Sequence, residues 1–184
     1  KFGGTPEKSE EKLQMAMKAA GFEYENRVYS PTLLVPQEIK QQLQEYIDNA
    51  FENGTTAIYY QAIYEEFLRR GVNWRITSPE MLKNFLKYCK YKYSFQRTYI
   101  TATATDDACP VDEIRECLKN LHRPATYDEL QKAVPHIPLA VIKHELTTRT
   151  EFVNSARGEY MHADIVDLSN WNLQIIAQVI QNEI

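Results

Sequence analysis

Positive charge is concentrated in one stretch of this chain. Between Arg69 and Arg97 the sequence holds eight basic residues and a single acid, Glu80. The stretch therefore carries a net charge of +7, which leaves −11 for the rest of a chain whose overall charge is −4. Basic side chains neutralise phosphate groups and release their counterions, so this stretch is a candidate surface for contact with nucleic acid.

The middle of the stretch has the pattern of an amphipathic helix. Ser78 is a residue type that caps helices, and Pro79 fits the first helical turn, so the helix should begin there. We expect it to run to Cys89 or Tyr91. One face would be apolar and buried, whereas another would carry lysines spaced four and three residues apart, Lys83, Lys87 and Lys90. That second face is a candidate phosphate-contacting surface.

Further candidates follow on a hairpin that we predict between Tyr91 and Ile100, where aromatic and polar residues alternate. Lys92 and Arg97 would extend the basic surface, and Tyr91 could hydrogen-bond to a phosphate or stack on an exposed base. A solvated helix face above a core that contains the tyrosines explains the same residues equally well. Residue types alone leave both interpretations open.

The same kinds of residue recur later in the chain at lower density. Glu145 and Glu151 lie among them and weaken the positive field, so a protein-binding or purely structural role has at least as much support there. The candidates in this second region are Lys143, His144, Thr147, Arg149 and Arg157.

Residues that would support catalysis or metal binding are few and scattered. Cys89 and Cys117 fall at apolar helix positions, and Cys109 has no activating partner nearby in the sequence. The four histidines lack the paired spacing of a zinc site, and no glycine-rich phosphate loop follows a predicted strand. We therefore expect no enzymatic activity, no metal, no cofactor and no small-molecule substrate.

The candidates must be positioned by helices and hairpins. Apolar spacing predicts helices over residues 7–20, 36–51, 57–70, 111–121, 127–133 and 138–148, besides the lysine-bearing helix. Alternating residues predict further hairpins over 22–29, with a turn at Asn26-Arg27, and over 152–161, with Gly158 in the turn. Thr126 and Glu129 have the spacing of a capping box. The expected class is mainly α with small β-hairpin wings, an α+β protein.

These elements divide the chain into modules. Residues 1–33 would form an N-terminal helix and hairpin, residues 34–100 a first module, and residues 108–167 a second. The segment 101–107 has little to bury and is predicted to be a linker, and residues 168–184 are predicted to form a C-terminal helix. The terminal pieces suggest either a chain cut from a longer array or ends that pack as caps.

An internal repeat supports two modules. The segment Pro79-x-Met81-Leu82-Lys83-x-x-Leu86 aligns with Leu139-x-Val141-Ile142-Lys143-x-x-Leu146, and a tyrosine follows thirteen or fourteen residues after the last leucine of each. The order of helices followed by a hairpin holds in both modules.

Three helices followed by a two-stranded wing resemble the winged-helix branch of the helix-turn-helix superfamily. Similar modules are the amino-terminal regulatory domains of bacterial sigma factors and the HARE-type domains that accompany transcription and DNA-modifying proteins. The segment Pro124-Ala125-Thr126-Tyr127-Asp128-Glu129-Leu130 resembles the turn and opening of the family's second helix, and residues 139–148 lie where its recognition helix would be. The first module departs from the pattern by inserting residues 71–77 between its second and third helices.

The resemblance implies a nucleic-acid-binding region, with duplex DNA as the first expectation, in a regulatory or DNA-processing protein. The alternative is a protein-interaction module of the same fold, anchored by aromatic residues such as Tyr59, Tyr60 or Trp74. No apolar run approaches the roughly 20 residues of a membrane helix. We expect an intracellular, cytoplasmic protein, either free or associated with the nucleoid, whose partner is DNA or another protein and not a membrane.

Overall fold

A computed structural model describes residues 6–104, 109–166 and 178, with side chains from Glu10 onward. The chain divides into two compact units, Lys1–Ala108 and Cys109–Ile184. The predicted C-terminal helix over 168–184, apart from Gln178, and residues 105–107 of the predicted linker lie outside the described residues.

The first unit is built mainly from helices, with short strands between them. Its elements are α1 (Pro6–Ala20), β1 (Phe22–Tyr24), β2 (Arg27–Tyr29), α2 (Pro31–Leu34), α3 (Gln37–Glu52), β3 (Ala57–Tyr59), α4 (Tyr60–Arg69), α5 (Pro79–Tyr88), β4 (Ser94–Phe95) and β5 (Tyr99–Thr101). The last three strands form an antiparallel sheet in the order β3-β5-β4. Helices α3, α4 and α5 bury their apolar faces against this sheet, with Leu43, Ile63, Phe67, Leu82 and Phe85 among the residues of the core.

The hairpin β1–β2 belongs to the core of the first unit. Phe22 is buried and meets the rings of Phe85 and Tyr88 edge to face, with 5.7 Å between centroids in each pair. The pairing of Tyr24 with Arg27 makes Glu25 and Asn26 the turn, and both have positive φ, of 48° and 61°. The predicted Asn26-Arg27 turn is therefore wrong by one residue, because the register is set by burial of Phe22 and not by the best turn-forming pair.

The second unit has α6 (Pro110–Leu121), β6 (Ala125–Thr126), α7 (Tyr127–Ala133), α8 (Leu139–Thr148), β7 (Phe152–Ala156) and β8 (Glu159–His162), followed by a 3-10 turn, Ala163–Ile165. Its sheet has the order β6-β8-β7. The predicted capping box is confirmed: Thr126 accepts a hydrogen bond from the Glu129 amide, and the Glu129 carboxylate accepts one from the Thr126 amide.

Both units follow the same path of helix, strand, helix, helix, strand, strand, with the last strand in the centre of the sheet. The first strands, β3 and β6, were not predicted from the sequence. The helix expected from residue 57 begins at Tyr60, and Thr101, expected in the linker, is a buried residue of β5. Strand register also pairs Ile58 with Ile100 in the first unit and Ala125 with Tyr160 in the second, so Ile100 and Tyr160 occupy equivalent positions.

The prediction of a mainly helical α+β fold with small antiparallel sheets is confirmed. Helices followed by antiparallel hairpins in this order are compatible with winged-helix-like modules. In the part of the chain that the structure describes, no helix combines the length and the apolar composition needed to cross a membrane.

Candidate nucleic-acid interface

Helix α5 begins as the sequence predicts and buries one side. The Ser78 hydroxyl accepts a hydrogen bond from the Met81 amide at 3.1 Å, and Pro79 is the first helical residue. Met81, Leu82, Phe85 and Leu86 are buried. The remaining positions of α5 therefore face away from the core.

The lysine stripe is not continuous, because the helix ends before its third member. Helix α5 ends at Tyr88, and Lys90 has a left-handed conformation with φ of 55°. Lys83 and Lys87 share one face of the helix, since they are four residues apart. Lys90 lies in the segment that leaves the helix in a different direction, so the structure separates residues that the sequence spacing brought together.

Lys83 is held against the hairpin β4–β5, which we call the first wing. Only 14% of its side chain is exposed, and its Nζ atom donates a hydrogen bond to the Arg97 carbonyl at 3.1 Å. The same ammonium lies 3.5 Å from Glu80 and 6.0 Å from the centroid of the Tyr60 ring. Lys83 therefore holds the wing in place and has little surface left to meet a phosphate.

The turn of the first wing is fastened at three consecutive carbonyl groups. The Tyr60 hydroxyl donates to Gln96 O at 3.2 Å, Lys83 Nζ donates to Arg97 O, and the Tyr60 amide donates to Thr98 O at 3.1 Å. The Arg97 side chain is exposed at this turn. The backbone of Arg97 is thus held by a hydrogen bond, while its guanidinium group is exposed to solvent.

Lys87 lies beside the same hairpin. Its side chain is exposed, and its Nζ atom is 5.9 Å from the centroid of the Phe95 ring on β4. We call the surface formed by Lys83, Lys87 and Arg97 the wing face. Two of its three cations project from a helix and a hairpin that are hydrogen-bonded to each other.

Several basic residues of the 69–97 stretch are neutralised by acids of the same unit. Arg69 and Arg70 both pair with Glu66, Lys83 pairs with Glu80, and Lys92 pairs with Asp48 at 3.4 Å. Within the described residues the basic groups of this stretch that have no ion pair are Arg75, Lys87, Lys90 and Arg97. Ion pairing thus leaves four of the eight basic residues exposed and unpaired.

Lys90, Tyr91 and Lys92 line a groove on a different side of the unit. One wall is helix α3, through Gln37, Lys40, Gln41, Gln44 and Glu45; the other is the segment Tyr88–Lys92, with Pro31 at one end. We call it the α3 groove. The Tyr91 hydroxyl donates to the Lys40 carbonyl at 3.3 Å, and burial raises the pKa of Tyr91 to about 12. This tyrosine therefore joins the two walls of the α3 groove, which Lys83 does not line.

A polar cluster closes one end of the α3 groove. The Tyr93 hydroxyl donates to Asp48 at 2.9 Å, and Gln44 contacts both residues. Partial desolvation opposes the ionisation of Asp48, but hydrogen bonds from Gln44, Tyr93 and Lys92 outweigh it, so the pKa of Asp48 lies below its ordinary value. Asp48 is therefore an anion at neutral pH.

In the second unit, Lys143 and Thr147 are exposed on the same face of α8. Lys143 Nζ lies 5.1 Å from the centroid of the Tyr127 ring, and the Thr147 hydroxyl donates to Lys143 O at 2.8 Å. His144 is exposed beside them, whereas Arg149 pairs with Glu145 at 3.1 Å. Arg157 is exposed in the turn of the hairpin β7–β8, the second wing.

The aromatic residues considered as protein anchors mostly complete the core of the first unit. Tyr60 is 2% exposed, and Trp74 stacks on Phe67 with 5.4 Å between centroids. Tyr59 is half-buried against Tyr99. Tyr60 begins α4 on the side that faces the core, and Trp74 lies on Phe67, so neither presents a fully exposed ring to a partner.

Cys89 and Cys117 are partly buried, and His136 and His162 are buried. Burial raises the pKa of the Cys89 and Cys117 thiols, which disfavours the nucleophilic thiolate. His136 pairs with Glu113, and His162 Nδ1 accepts a hydrogen bond from the Asp164 amide at 3.1 Å. In the described part of the chain no group of three or more His, Cys, Asp and Glu side chains is arranged to hold a metal ion.

The comparisons with known proteins assign no relative. No protein-family model, curated protein or solved structure matches this chain. The function must therefore be argued from the wing face, the α3 groove and the shared topology of the two units.

Proposed function

We propose that this chain binds duplex DNA through tandem winged-helix modules, with the wing face of the first unit as the principal contact. Helices α5 and α8 would be the third helices of the two modules, the position from which helix-turn-helix proteins enter the major groove. Lys143 and Arg157 would supply weaker contacts from the second module. Because the rest of the chain carries a net negative charge, binding would depend on these local cations and not on the charge of the whole chain.

One observation carries the proposal. Lys87 and Arg97 are exposed cations without a carboxylate partner among the described residues, although acids neutralise four other basic residues of the same stretch. They project from the third helix and the wing, and the hydrogen bond from Lys83 to Arg97 O couples these elements. Two unpaired cations on a fixed backbone are suited to phosphate groups, since little backbone order has to be acquired on binding.

The test compares two matched charge removals in the first unit. Lys87→Gln/Arg97→Gln removes two cations from the wing face, and Lys40→Gln/Lys90→Gln removes two from the α3 groove. Each variant and the unaltered protein is titrated into a labelled duplex of about 20 base pairs, and fluorescence anisotropy is followed between ~50 and ~200 mM salt.

We expect the wing-face variant to bind more weakly and its log–log salt slope to fall by about 2, because each phosphate contact contributes about 0.9. The groove variant should keep the slope of the unaltered protein. Absence of binding at the lowest salt, or an equal loss in both variants, would contradict the proposal.

A further inference from the structure

The α3 groove is a preformed feature of the first unit. Its walls are joined by the hydrogen bond from the Tyr91 hydroxyl to the Lys40 carbonyl, and Tyr88 donates to the Ala20 carbonyl at 3.3 Å. The tyrosine hydroxyl groups are therefore used within the protein. The Gln41 and Gln44 amide groups donate to Glu45 and Asp48. What the groove offers to a ligand is therefore ring surface, the stems of lysines, the Gln37 amide, and the side-chain carbonyl oxygens of Gln41 and Gln44.

Charge is unevenly distributed along the groove. Lys40 lies in the first turn of α3, where the helix dipole adds to its positive charge, and Lys90 adds another cation from the opposite wall. At the other end the carboxylate of Glu45 lines the groove, and Asp48 neutralises Lys92. The groove is thus positive at the amino-terminal end of α3 and negative at the end that contains Glu45.

The length of the groove limits its occupant. Gln37 and Glu45 are eight residues apart on α3, which corresponds to about 12 Å along the helix axis. An extended chain rises about 3.3 Å per residue, so the groove accommodates about four residues of a peptide. The Gln37 amide can donate to and accept from a peptide backbone in this space, and the side-chain carbonyl oxygens of Gln41 and Gln44 can accept from it.

We propose that the α3 groove binds a short acidic peptide segment of a partner protein, with carboxylates at the Lys40 and Lys90 end and apolar side chains along the tyrosine wall. The observations favour a peptide over a nucleic-acid strand. Phosphates repeat along a strand, and one of them would meet Glu45 beside the Asp48–Lys92 pair. A peptide can carry its negative charge at one end only.

The test uses the whole chain and defined peptides. The probes are the fluorescein-labelled hexapeptide Glu-Glu-Leu-Ala-Leu-Gln and its reverse. Both are tested because a peptide can enter the groove in either chain direction. Matched probes replace both glutamates with glutamine. Binding is measured by anisotropy to about 1 mM protein, and the contact site is mapped by amide chemical shifts in ¹⁵N-labelled protein.

We expect at least one acidic peptide to bind more tightly than its glutamine control and to shift the amides of residues 37–45 and 88–92. Lys40→Gln/Lys90→Gln should weaken this binding about five- to tenfold, as expected for the loss of two partly exposed charge pairs. Lys87→Gln/Arg97→Gln is the matched control and should leave it unchanged.

Three results would overturn the proposal: no binding by either acidic peptide, equal binding of the glutamine controls, or displacement of the peptide from the groove by a single-stranded oligonucleotide. The last result would assign the groove to nucleic acid. These outcomes are independent of duplex binding at the wing face, so either proposal can fail while the other stands.

Discussion

The two units share a topology but fasten their wings differently. In the first unit Lys83 and Tyr60 donate to all three carbonyls of the wing turn at residues 96–98. In the second unit the equivalent Lys143 lies over the Tyr127 ring, and the Tyr127 hydroxyl meets that of Tyr160 at 3.0 Å, in the strand and not in the turn. The lysine of the third helix is thus hydrogen-bonded to the turn of the first wing, whereas its equivalent in the second unit contacts the Tyr127 ring and not the turn of the second wing.

A second difference concerns the base of each wing. In the second unit the Arg115 guanidinium group forms two hydrogen bonds to Glu151, at 2.7 and 2.9 Å, just before β7. The first wing has its fastening at the tip instead. The same fold can therefore present a cation, Arg97, from a turn that is hydrogen-bonded to helices α4 and α5, or another, Arg157, from a turn that its third helix does not hold. The first arrangement is better preorganised for binding.

The largest expected effect tests whether the repeated leucines are equivalent core positions. Leu86 and Leu146 are both almost fully buried. Leu86→Ala and Leu146→Ala should each lower the free energy of unfolding of their own unit by about 2–5 kcal/mol, because each leaves a cavity. Urea denaturation, monitored by amide hydrogen exchange in each unit, measures this loss of stability. A loss confined to one of the two variants would break the equivalence.

The helix caps should give an intermediate effect. Ser78 caps α5 with one hydrogen bond, whereas Thr126 and Glu129 cap α7 reciprocally. Ser78→Ala and Thr126→Ala should each cost about 1 kcal/mol of stability, with the larger loss for Thr126→Ala, since it removes half of a capping box. The midpoint of urea denaturation is the measurement, and Thr150→Ala, at an exposed position outside the helices, is a control expected to change little.

The locking of the first wing should give a smaller, local effect. Lys83→Met removes the hydrogen bond to Arg97 O and should speed hydrogen exchange at residues 96–98 by a factor corresponding to about 0.5–1.5 kcal/mol. Lys143→Met is the matched change in the second unit and should leave exchange in the turn at Arg157 unaltered. Equal acceleration in both wings would contradict the difference described above.

The pH dependence of stability should be the smallest effect near neutrality, because the carboxylates involved are at the surface and are screened. A hydrogen bond from Arg123 and the capping bond from the Thr126 amide lower the pKa of Glu129 to about 2 from its ordinary 4.5. A carboxyl group with a lowered pKa in the folded state stabilises the protein above its unfolded pKa. Its contribution is lost as pH falls from about 4.5 through 2.

Acid titration of the unfolding midpoint checks this expectation. In the second unit Arg115 also lowers the pKa of Glu151, so stability should decline over the same acidic range. Glu129→Gln should make that decline shallower. An unchanged acid profile in this variant would show that the Arg123–Glu129 pair does not contribute to the acid dependence of stability.

Local sequence patterns determined much of the architecture. The caps at Ser78 and Thr126, the apolar spacing of α3 and α6, and the turn at Gly158 are short-range features, because each depends on neighbours within one or two turns of chain. The repeat around Lys83 and Lys143 likewise identified the two third helices. The short first strands, β3 and β6, carry too few residues to show a pattern, and only pairing with a distant strand defines them.

The candidate site depended more on tertiary structure. The sequence alone showed a basic stretch and a lysine at each repeated helix position, and helix spacing is enough to place Glu66 near Arg70 and Glu80 near Lys83. It could not show that Asp48, distant in the chain, neutralises Lys92. Nor could it show that α5 ends at Tyr88, which places Lys90 at the α3 groove while Lys87 stays at the wing face. Helix spacing fixes neighbours on one helix, whereas the Asp48–Lys92 pair and the α3 groove join residues that are far apart in the chain, so their positions were decided only when the helices and strands packed together.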